Sequence, residues 1–248
     1  HGYLKSVEAI ARSCNIFFYE LGMRLGFAKL LQWYESFGLG KPLPLHLTDR
    51  NAAGAYGHMP SMEDIDILSK GGALPFETIS IAIGQGSITW SPLHAAAAYA
   101  TLARNGIWES PTLIKDAQSE AVDLQINPNH VQVALEGLND SIKKTYGTGS
   151  RLRYGASSQE PIFTTEHLRL WGKTGTAEAP PYELDPALPL ISGLDHSWFL
   201  VMASHEKSTL PEIVVAVLVE HGGSGGRVAG PIANQVLLAI QSEGYLAK

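Results

Sequence analysis

Apolar side chains recur every three or four residues over the first part of the chain, which predicts helices there. This spacing runs from residue 3 to residue 25, on both sides of Ser13-Cys14-Asn15. Ser and Asn compete with a helix for backbone hydrogen bonds, so the tripeptide either lies on the polar side of one helix or separates two helices. A further helix is predicted from Phe27 to Phe37, because Gly38 and Gly40 suit a left-handed helix end.

Proline and glycine interrupt residues 41–75 repeatedly, which predicts irregular structure there. Two helices are predicted after this stretch. Ser91 caps the first, which has Pro92 at its first position and stops at Asn105-Gly106. The second is an amphipathic helix over residues 128–144, and the glycines that follow it mark a loop.

The pattern changes after about residue 165, where β-branched and apolar runs predict three strands. These runs are Leu168–Thr176, Trp198–Ala203 and Ile213–Val219. A glycine loop, Gly222–Gly226, then leads into a final helix from about Val228 to Gln241. Helices followed by consecutive strands predict an α+β fold with antiparallel strands. The helical lobe would cover about residues 1–150, and the strands with the last helix about 165–245.

Composition and charge exclude several kinds of protein. Of the 248 residues, 45% are hydrophobic and 17% are charged, which is typical of a globular domain and not of a disordered chain. The net charge of −6 argues against nucleic acid as a partner, because non-specific binding needs a basic face. The single cysteine, Cys14, excludes an internal disulfide framework. The nine histidines show no metal-ligand spacing, so we expect no metal and no cofactor.

No apolar run approaches the roughly 20 residues that span a membrane, and no signal peptide is recognisable. The chain begins at His1, without methionine, inside a segment that is predicted to be structured. We therefore interpret it as part of a longer protein. The lack of a membrane span and of a signal peptide in this part then does not indicate where the longer protein is located.

Lys173-Thr174-Gly175-Thr176 is the most informative segment for chemistry. It places a cation, two hydroxyls and a glycine at the end of a predicted strand. Because side chains alternate along a strand, Thr174 and Thr176 share one face, and Gly175 lets a ligand approach the backbone. With Lys173 beside them, these groups suit a carboxylate. The alternative is an edge strand that carries lysine against aggregation and threonine for its β-propensity.

Ser13-Cys14-Asn15 carries little weight alone, since Ser-x-Asn is expected about once by chance in a chain of this length. Its order relative to Lys173 matters more. Penicillin-binding proteins and serine β-lactamases carry Ser-x-x-Lys, then Ser-x-Asn, then Lys-Thr-Gly along the chain. The second and third of these elements occur here once each, in that order.

Segments around both motifs strengthen the match. They are Ala9-Ile10 and Phe17-Phe18-Tyr19, Gly84-Gln85-Gly86 with Ser91-Pro92-Leu93, Gly172 to Glu178, His196 to Phe199, and Val214 to Glu220 with Gly222 to Gly226. Together they resemble the class B penicillin-binding proteins from residue 1 to about residue 240. The elongation-type, PBP2-like transpeptidases are the most similar subgroup.

The resemblance implies a partial transpeptidase domain over residues 1–248, with an antiparallel sheet flanked by helices and a helical lobe. In this family a serine attacks the penultimate D-alanine of a peptidoglycan stem peptide, and an amine of a neighbouring stem resolves the acyl-enzyme. Penicillins mimic the dipeptide and stop at the acyl stage. The implied partners are peptidoglycan stem peptides, β-lactam antibiotics and membrane proteins of the elongasome or divisome. The implied location is the periplasmic face of the bacterial inner membrane, with the anchor outside this chain.

The resemblance also implies a role for each matching residue. The catalytic set is Ser13, Asn15 and Lys173, and the substrate-binding set is Thr174, Gly175 and Thr176. Ser13 relays a proton towards the leaving amine, Asn15 orients the catalytic lysine and the substrate amide, and Lys173 raises the positive potential. The threonine hydroxyls hold the carboxylate of substrate or antibiotic, and the backbone N–H of Thr176 is one half of the oxyanion hole.

The first motif of the family does not occur ahead of Ser13. Two strings with its spacing, beginning at Ser141 and Ser204, come after the second or third motif, so we interpret them as solvated polar residues. The nucleophile, its lysine base and the other oxyanion donor are expected upstream of His1. We therefore expect that this chain alone forms no covalent penicillin adduct, because removing a nucleophile removes nearly all the catalysis of its unit.

Two other functions stay open at this point. A degenerate homologue would bind cell-wall peptide, or an elongation or division partner, without catalysing a reaction. Against this function, Ser13, Asn15 and Lys173 are all present, and a protein that only binds would not need them. The loop Gly222–Gly226 suggests nucleotide binding, since such loops cradle phosphate at a helix N-terminus. No Lys-Ser/Thr follows it as in a P-loop, and we interpret it as a tight turn.

Overall fold

A computed structural model describes residues 1–43, 45, 57–116, 119–154, 158–183, 187, 189 and 193–246. Internal contacts divide the chain into two units. The first unit holds residues 1–9 and 14–135, and the second holds residues 10–13 and 136–248. The elements are α+β as predicted, with helices first and the long strands last.

Most of the first unit is helical. In chain order its helices are α1 (Ser6–Ala11, which continues into the second unit), α2 (Asn15–Leu25), α3 (Phe27–Ser36), α4 (Met62–Lys70), α5 (Leu74–Ile81) and α6 (Pro92–Ala103). The gap between α1 and α2 confirms a break between two helices at Ser13-Cys14, with Asn15 as the first residue of α2. Leu39 and Ile81 are fully buried at the centre of its apolar core.

Residues 41–75 contain helices, so the prediction of irregular structure there was wrong for the part that is described. Ser61 begins α4 with a capping box: its hydroxyl accepts from the Asp64 N–H, and the Asp64 carboxylate accepts from the Ser61 N–H. Pro75 lies in the first turn of α5, where a missing N–H breaks no hydrogen bond. Residues 44 and 46–56 of the stretch lie outside the described residues.

Ser91 begins α6 as predicted. Its hydroxyl accepts a hydrogen bond from the His94 N–H at 3.2 Å, and Pro92 follows at the first helical position. After α6 a short antiparallel pair forms from β1 (Ile107–Glu109) and β2 (Ala121–Asp123), which the hydrophobic pattern did not predict. Helix α7 (Pro128–Lys143) then runs from the first unit into the second, close to its predicted bounds.

The second unit is built on a three-stranded antiparallel sheet in the order β5-β6-β7. The strands are β5 (Leu168–Ala177), β6 (His196–His205) and β7 (Ile213–Val219), which confirms the three predicted strands. A short pair, β3 (Arg151–Tyr154) with β4 (Ser158–Pro161), precedes them. Helix α8 (Ala229–Ser242) packs against β6 and β7.

The core of this unit forms between the sheet and α8. Phe199 and Val201 of β6 are fully buried, as are Ala229, Ala233 and Leu237 at three- and four-residue steps along α8. Burial of this stripe positions α8, since apolar area removed from water contributes roughly 25 cal/mol per Å². The start of β6 is thereby fixed against the loop that leads into α8.

The serines of the two late Ser-x-x-Lys strings are not solvated, contrary to our interpretation, whereas Lys144 and Lys207 at the ends of the strings are exposed. Ser141 lies on α7 and Ser204 lies on β6, and both side chains are fully buried. A serine buried in a helix or a sheet has no path to a substrate. Across the part of the chain that the structure describes, no helix is long and apolar enough to cross a membrane.

Candidate active site

Ser13 lies at the sharp turn that follows α1. Its N–H donates to the Ile10 carbonyl at 3.1 Å, and its φ of 51° is in the left-handed region. For a residue other than glycine, this conformation is about 1–2 kcal/mol higher in free energy than the right-handed one. The turn ends α1 and leaves the Ser13 hydroxyl free to meet another element.

A loop between α7 and β3 holds the segment before Ser13. The Thr148 N–H donates to the Ala11 carbonyl at 3.1 Å, and the Arg12 guanidinium lies 4.2 Å from the centre of the Tyr146 ring. A cation over an aromatic face contributes about 0.5–1 kcal/mol or more. Two independent contacts therefore restrict where the Ser13 turn can lie within the second unit.

Lys173 of β5 reaches the Ser13 hydroxyl. Its ammonium donates to Ser13 Oγ at 2.8 Å and to the Thr174 carbonyl at 2.8 Å. Burial of the ammonium lowers the pKa of Lys173 from 10.5 to about 8, because the charged form loses hydration. At neutral pH the side chain is still mostly cationic, yet it gives up a proton far more easily than an exposed lysine.

The threonines of β5 contact two residues that were not among the predicted site residues. Thr174 Oγ1 donates to Thr148 Oγ1 at 3.0 Å, and the Gly225 N–H donates to Thr176 Oγ1 at 3.4 Å. Thr148 lies between Gly147 and Gly149, in a loop that the glycines did mark. Its hydroxyl could not be assigned to the site, because nothing in the sequence pairs that loop with β5.

Gly175 is tightly packed by its protein neighbours. A Cβ at Gly175 would lie 3.0 Å from the Cβ of Trp198, its partner on β6. Gly225 also packs against the Gly175 backbone, closely enough that a Cβ on Gly225 would collide with it. The glycine loop therefore lies directly against the backbone of β5 at Gly175.

The structure brings together Ser13, Lys173 and Thr174 in the second unit, with Thr176 two residues further along β5. Asn15 belongs to the first unit, where it is the first residue of α2 and is exposed. The catalytic and binding roles of these residues, including that of Asn15, stay predictions.

This arrangement suits an anionic ligand and proton transfer. A lysine with a lowered pKa that donates to a serine hydroxyl can pass a proton through that hydroxyl. The ammonium with the adjacent threonines can also pair with a carboxylate. Among the described residues, no group of three or more His, Cys, Asp or Glu side chains could hold a metal ion.

Comparisons with known proteins identify the family of this chain. The family description "Penicillin binding protein transpeptidase domain" matches residues 1–238. The peptidoglycan D,D-transpeptidase MrdA of Haemophilus influenzae is 28% identical over 96% of this chain and 36% of its own length. The chain thus spans about a third of that relative.

Two solved structures share the fold. PBP2 of Pseudomonas aeruginosa, in complex with WCK 5153, has a TM-score of 0.71 and 27% identity, over 96% of this chain and 49% of its own. A chain from a peptidoglycan synthase complex that coordinates polymerization and crosslinking has a TM-score of 0.69 and 26% identity, over 95% of this chain and 37% of its own. The chain belongs to the penicillin-binding protein transpeptidase domain family and resembles its PBP2 type.

Proposed function

We propose that the protein containing this chain cross-links peptidoglycan stem peptides as a PBP2-type D,D-transpeptidase and is acylated by β-lactams. The observation that carries the proposal is the hydrogen bond between Lys173 and Ser13, which joins the family's second and third motifs in space. Membership of the transpeptidase family supports the reaction class.

The reaction has two acyl-transfer steps. The nucleophilic serine, expected upstream of this chain, gives its hydroxyl proton to its lysine base, and its oxygen bonds to the carbonyl carbon of the penultimate D-alanine. The bond from that carbon to the nitrogen of the terminal D-alanine breaks, and the leaving nitrogen takes up a proton. An amine of a second stem peptide then attacks the ester and loses a proton, the serine oxygen regains one as it leaves, and the new amide is the cross-link. A β-lactam follows only the first step, with its ring nitrogen as the leaving group.

Ser13 and Lys173 supply the proton in this scheme. Ser13 gives its hydroxyl proton to the leaving nitrogen, and Lys173 replaces it across 2.8 Å. A donor with a pKa near the working pH is effective, and burial has lowered the pKa of Lys173 to about 8. Asn15, two residues after Ser13, would contact the catalytic lysine and the substrate amide.

Thr174 and Thr176 bind the terminal carboxylate of the stem peptide or the carboxylate of the antibiotic. The Lys173 charge attracts that anion before the hydroxyls orient it. The Thr176 N–H provides one donor to the developing oxyanion, and such a donor is worth a few kcal/mol where it has been measured.

The relatives support a proposal for the setting in which this protein works. Because a chain of the synthase complex is 26% identical to this one, we propose that this protein works with an elongation-type membrane partner at the periplasmic face of the inner membrane. Its membrane anchor would lie outside this chain.

Labelling with a fluorescent penicillin, read by intact mass, tests the proposal. We expect no adduct on this 248-residue chain and one adduct on the protein extended upstream through its native gene. In the extended protein, Lys173→Ala should slow labelling strongly, whereas Lys207→Ala removes an exposed charge from the same unit and should leave labelling unchanged.

If neither protein labels while both fold, the proposed chemistry is wrong. The degenerate homologue that binds cell-wall peptide or a protein partner then becomes the function to test. An adduct on the 248-residue chain alone would show that the nucleophile lies within it.

A further inference from the structure

Two histidine rings lie against each other where the sheet of the second unit meets the glycine loop Gly222–Gly226. His196 is the first residue of β6, and His221 follows β7. Their ring centres are 4.9 Å apart, and the ring of Tyr182 lies 4.4 Å from that of His221. The proton-transfer and carboxylate-binding groups described above do not include these three side chains.

The hydrogen bonds of this cluster define its protonation state. The His221 N–H donates to His196 Nδ1 at 3.1 Å, and a ring nitrogen that accepts carries no proton. His196 is therefore neutral here, with its proton on Nε2. The Nδ1 atom of His221 lies 3.1 Å from the Leu194 carbonyl oxygen, which only accepts, so that nitrogen carries a proton.

The start of β6 ties down the glycine loop at successive residues. The Gly223 N–H donates to the Asp195 carbonyl at 2.7 Å, and the Ser197 hydroxyl donates to the Ser224 carbonyl at 3.1 Å. The bond to His196 lies between these two. His221 has a φ of 52°, a strained conformation for histidine that needs such contacts to persist.

The loop in turn contacts the site. The Gly225 N–H donates to Thr176 Oγ1 at 3.4 Å, near the limit for such a bond. Gly225 also fits against the backbone of Gly175 and Trp198 with no room for a Cβ. A small displacement of the loop would therefore break the contact with Thr176.

We propose that His196 is a positioning residue: its neutral ring holds the glycine loop so that Gly225 reaches Thr176, and its protonation in acid releases the loop. Protonation at Nδ1 replaces the acceptor of the His221 N–H by a second donor. Two cationic rings would also repel each other at 4.9 Å. Histidine is the side chain that ordinarily changes charge between about pH 5 and 8, which sets the pH range to be measured.

Other titratable groups surround the pair without removing this effect. Tyr182 packs on His221, while Asp195 and Glu220 are chain neighbours of the two histidines. Glu178 follows Ala177, the β5 partner of His196 in the sheet. Carboxylates near the rings would stabilise the positive charge of an imidazolium. They cannot restore an acceptor on Nδ1, which is the atom that holds the loop.

Three substitutions separate this role from a structural one. His196→Asn keeps an acceptor close to the Nδ1 position and does not titrate, whereas His196→Ala removes the acceptor. His130→Asn is the matched control, since His130 is exposed on α7 in the other unit. All are made in the upstream-extended protein, whose acylation rate constant with a fluorescent penicillin is measured from about pH 5.5 to 8.

The activity readout rests on the proposed function above. We expect His196→Ala to acylate about five- to tenfold more slowly at pH 7.5, the size of one net hydrogen bond. From pH 7.5 to 5.5 the acylation rate constants of the wild type and of His130→Asn should fall by the same factor. The factor for His196→Asn should be at least threefold smaller. Superimposable pH profiles of wild type and His196→Asn, or an unchanged rate in His196→Ala, would overturn the proposal.

Amide hydrogen exchange provides a readout that needs no acylation. At pH 7.5 the His221 amide should be protected in the wild type and in His196→Asn. At pH 5.5 it should exchange at least fivefold faster in the wild type than in His196→Asn. Equal exchange in the two proteins at pH 5.5 refutes the role of His196, whereas absent labelling of the wild type refutes the proposed function instead.

Discussion

Replacing Lys173 by methionine removes a buried ammonium and keeps most of the side-chain volume. The fall of the Lys173 pKa from 10.5 to about 8 means that folding disfavours its charged form by about 3 kcal/mol at neutral pH. The variant avoids this cost but leaves Ser13 Oγ and the Thr174 carbonyl without their donor, at about 1 kcal/mol each. We therefore expect Lys173→Met to be more stable than the wild type by about 1 kcal/mol at pH 7, and to lose penicillin labelling.

The pH dependence is the sharper part of this prediction. Because the pKa of Lys173 is lower in the folded than in the unfolded state, the unfolded chain binds more protons between about pH 8 and 10.5. The wild type should therefore gain stability with rising pH across this window, relative to Lys173→Met. The unfolding free energy of the wild type minus that of Lys173→Met should therefore rise by about 2.5 kcal/mol between pH 7 and pH 10.

Urea unfolding of the upstream-extended proteins, followed by tryptophan fluorescence, measures this difference. Trp171 is buried on β5 two residues before Lys173 and reports on this region. All other titrating groups are common to both proteins, so their contributions cancel in the difference. Lys207→Met, at an exposed position, should show no such pH-dependent difference. If the difference in unfolding free energy between wild type and Lys173→Met stays constant from pH 7 to 10, burial does not lower the pKa of Lys173.

Substitutions at three other positions test the local geometry. Ser13→Ala and Ser13→Gly should both cut labelling of the extended protein at least tenfold. Ser13→Gly should be about 1 kcal/mol more stable in urea than Ser13→Ala, because glycine adopts the φ of 51° without strain. Equal stabilities of the two variants would contradict the strain. Gly225→Ala should abolish labelling and lower the unfolding free energy by about 2 kcal/mol, since its Cβ collides with the backbone of β5 and β6; an active variant of wild-type stability would contradict the close packing. Ser91→Ala should cost about 1 kcal/mol in urea by removing the cap of α6, with labelling retained; no loss of stability would show that the cap is replaceable.

The sequence predicted the elements whose hydrophobic pattern is long and regular. The strands β5, β6 and β7 and the helices α6 and α7 form close to their expected residues, since a strand or helix of this length buries a repeating apolar face. Shorter elements were missed. Helix α4 begins with Ser61 and Asp64 inside a stretch rich in proline and glycine, and β1 to β4 have only three or four residues each, too few to show a period.

The candidate site divides in the same way. The motif order along the chain pointed to Ser13, Asn15 and Lys173 as chemically relevant residue types before any contact was known. Which atoms meet was decided by the tertiary structure: the 2.8 Å bond from Lys173 to Ser13 joins residues 160 positions apart. The sequence also has no means to indicate Thr148, because its role depends on a loop that packs beside β5.

The amino-acid sequence by itself determined the fold class, the family and the residue types available for catalysis, since these follow from local periodicity and motif order. Only the tertiary structure decided the pKa of Lys173, the close packing around Gly175, and the role of His196 Nδ1 as an acceptor. Each depends on which distant groups remove water from a side chain or donate to it. Desolvation and hydrogen bonding act through space over a few ångströms, and neighbours in the chain do not specify them.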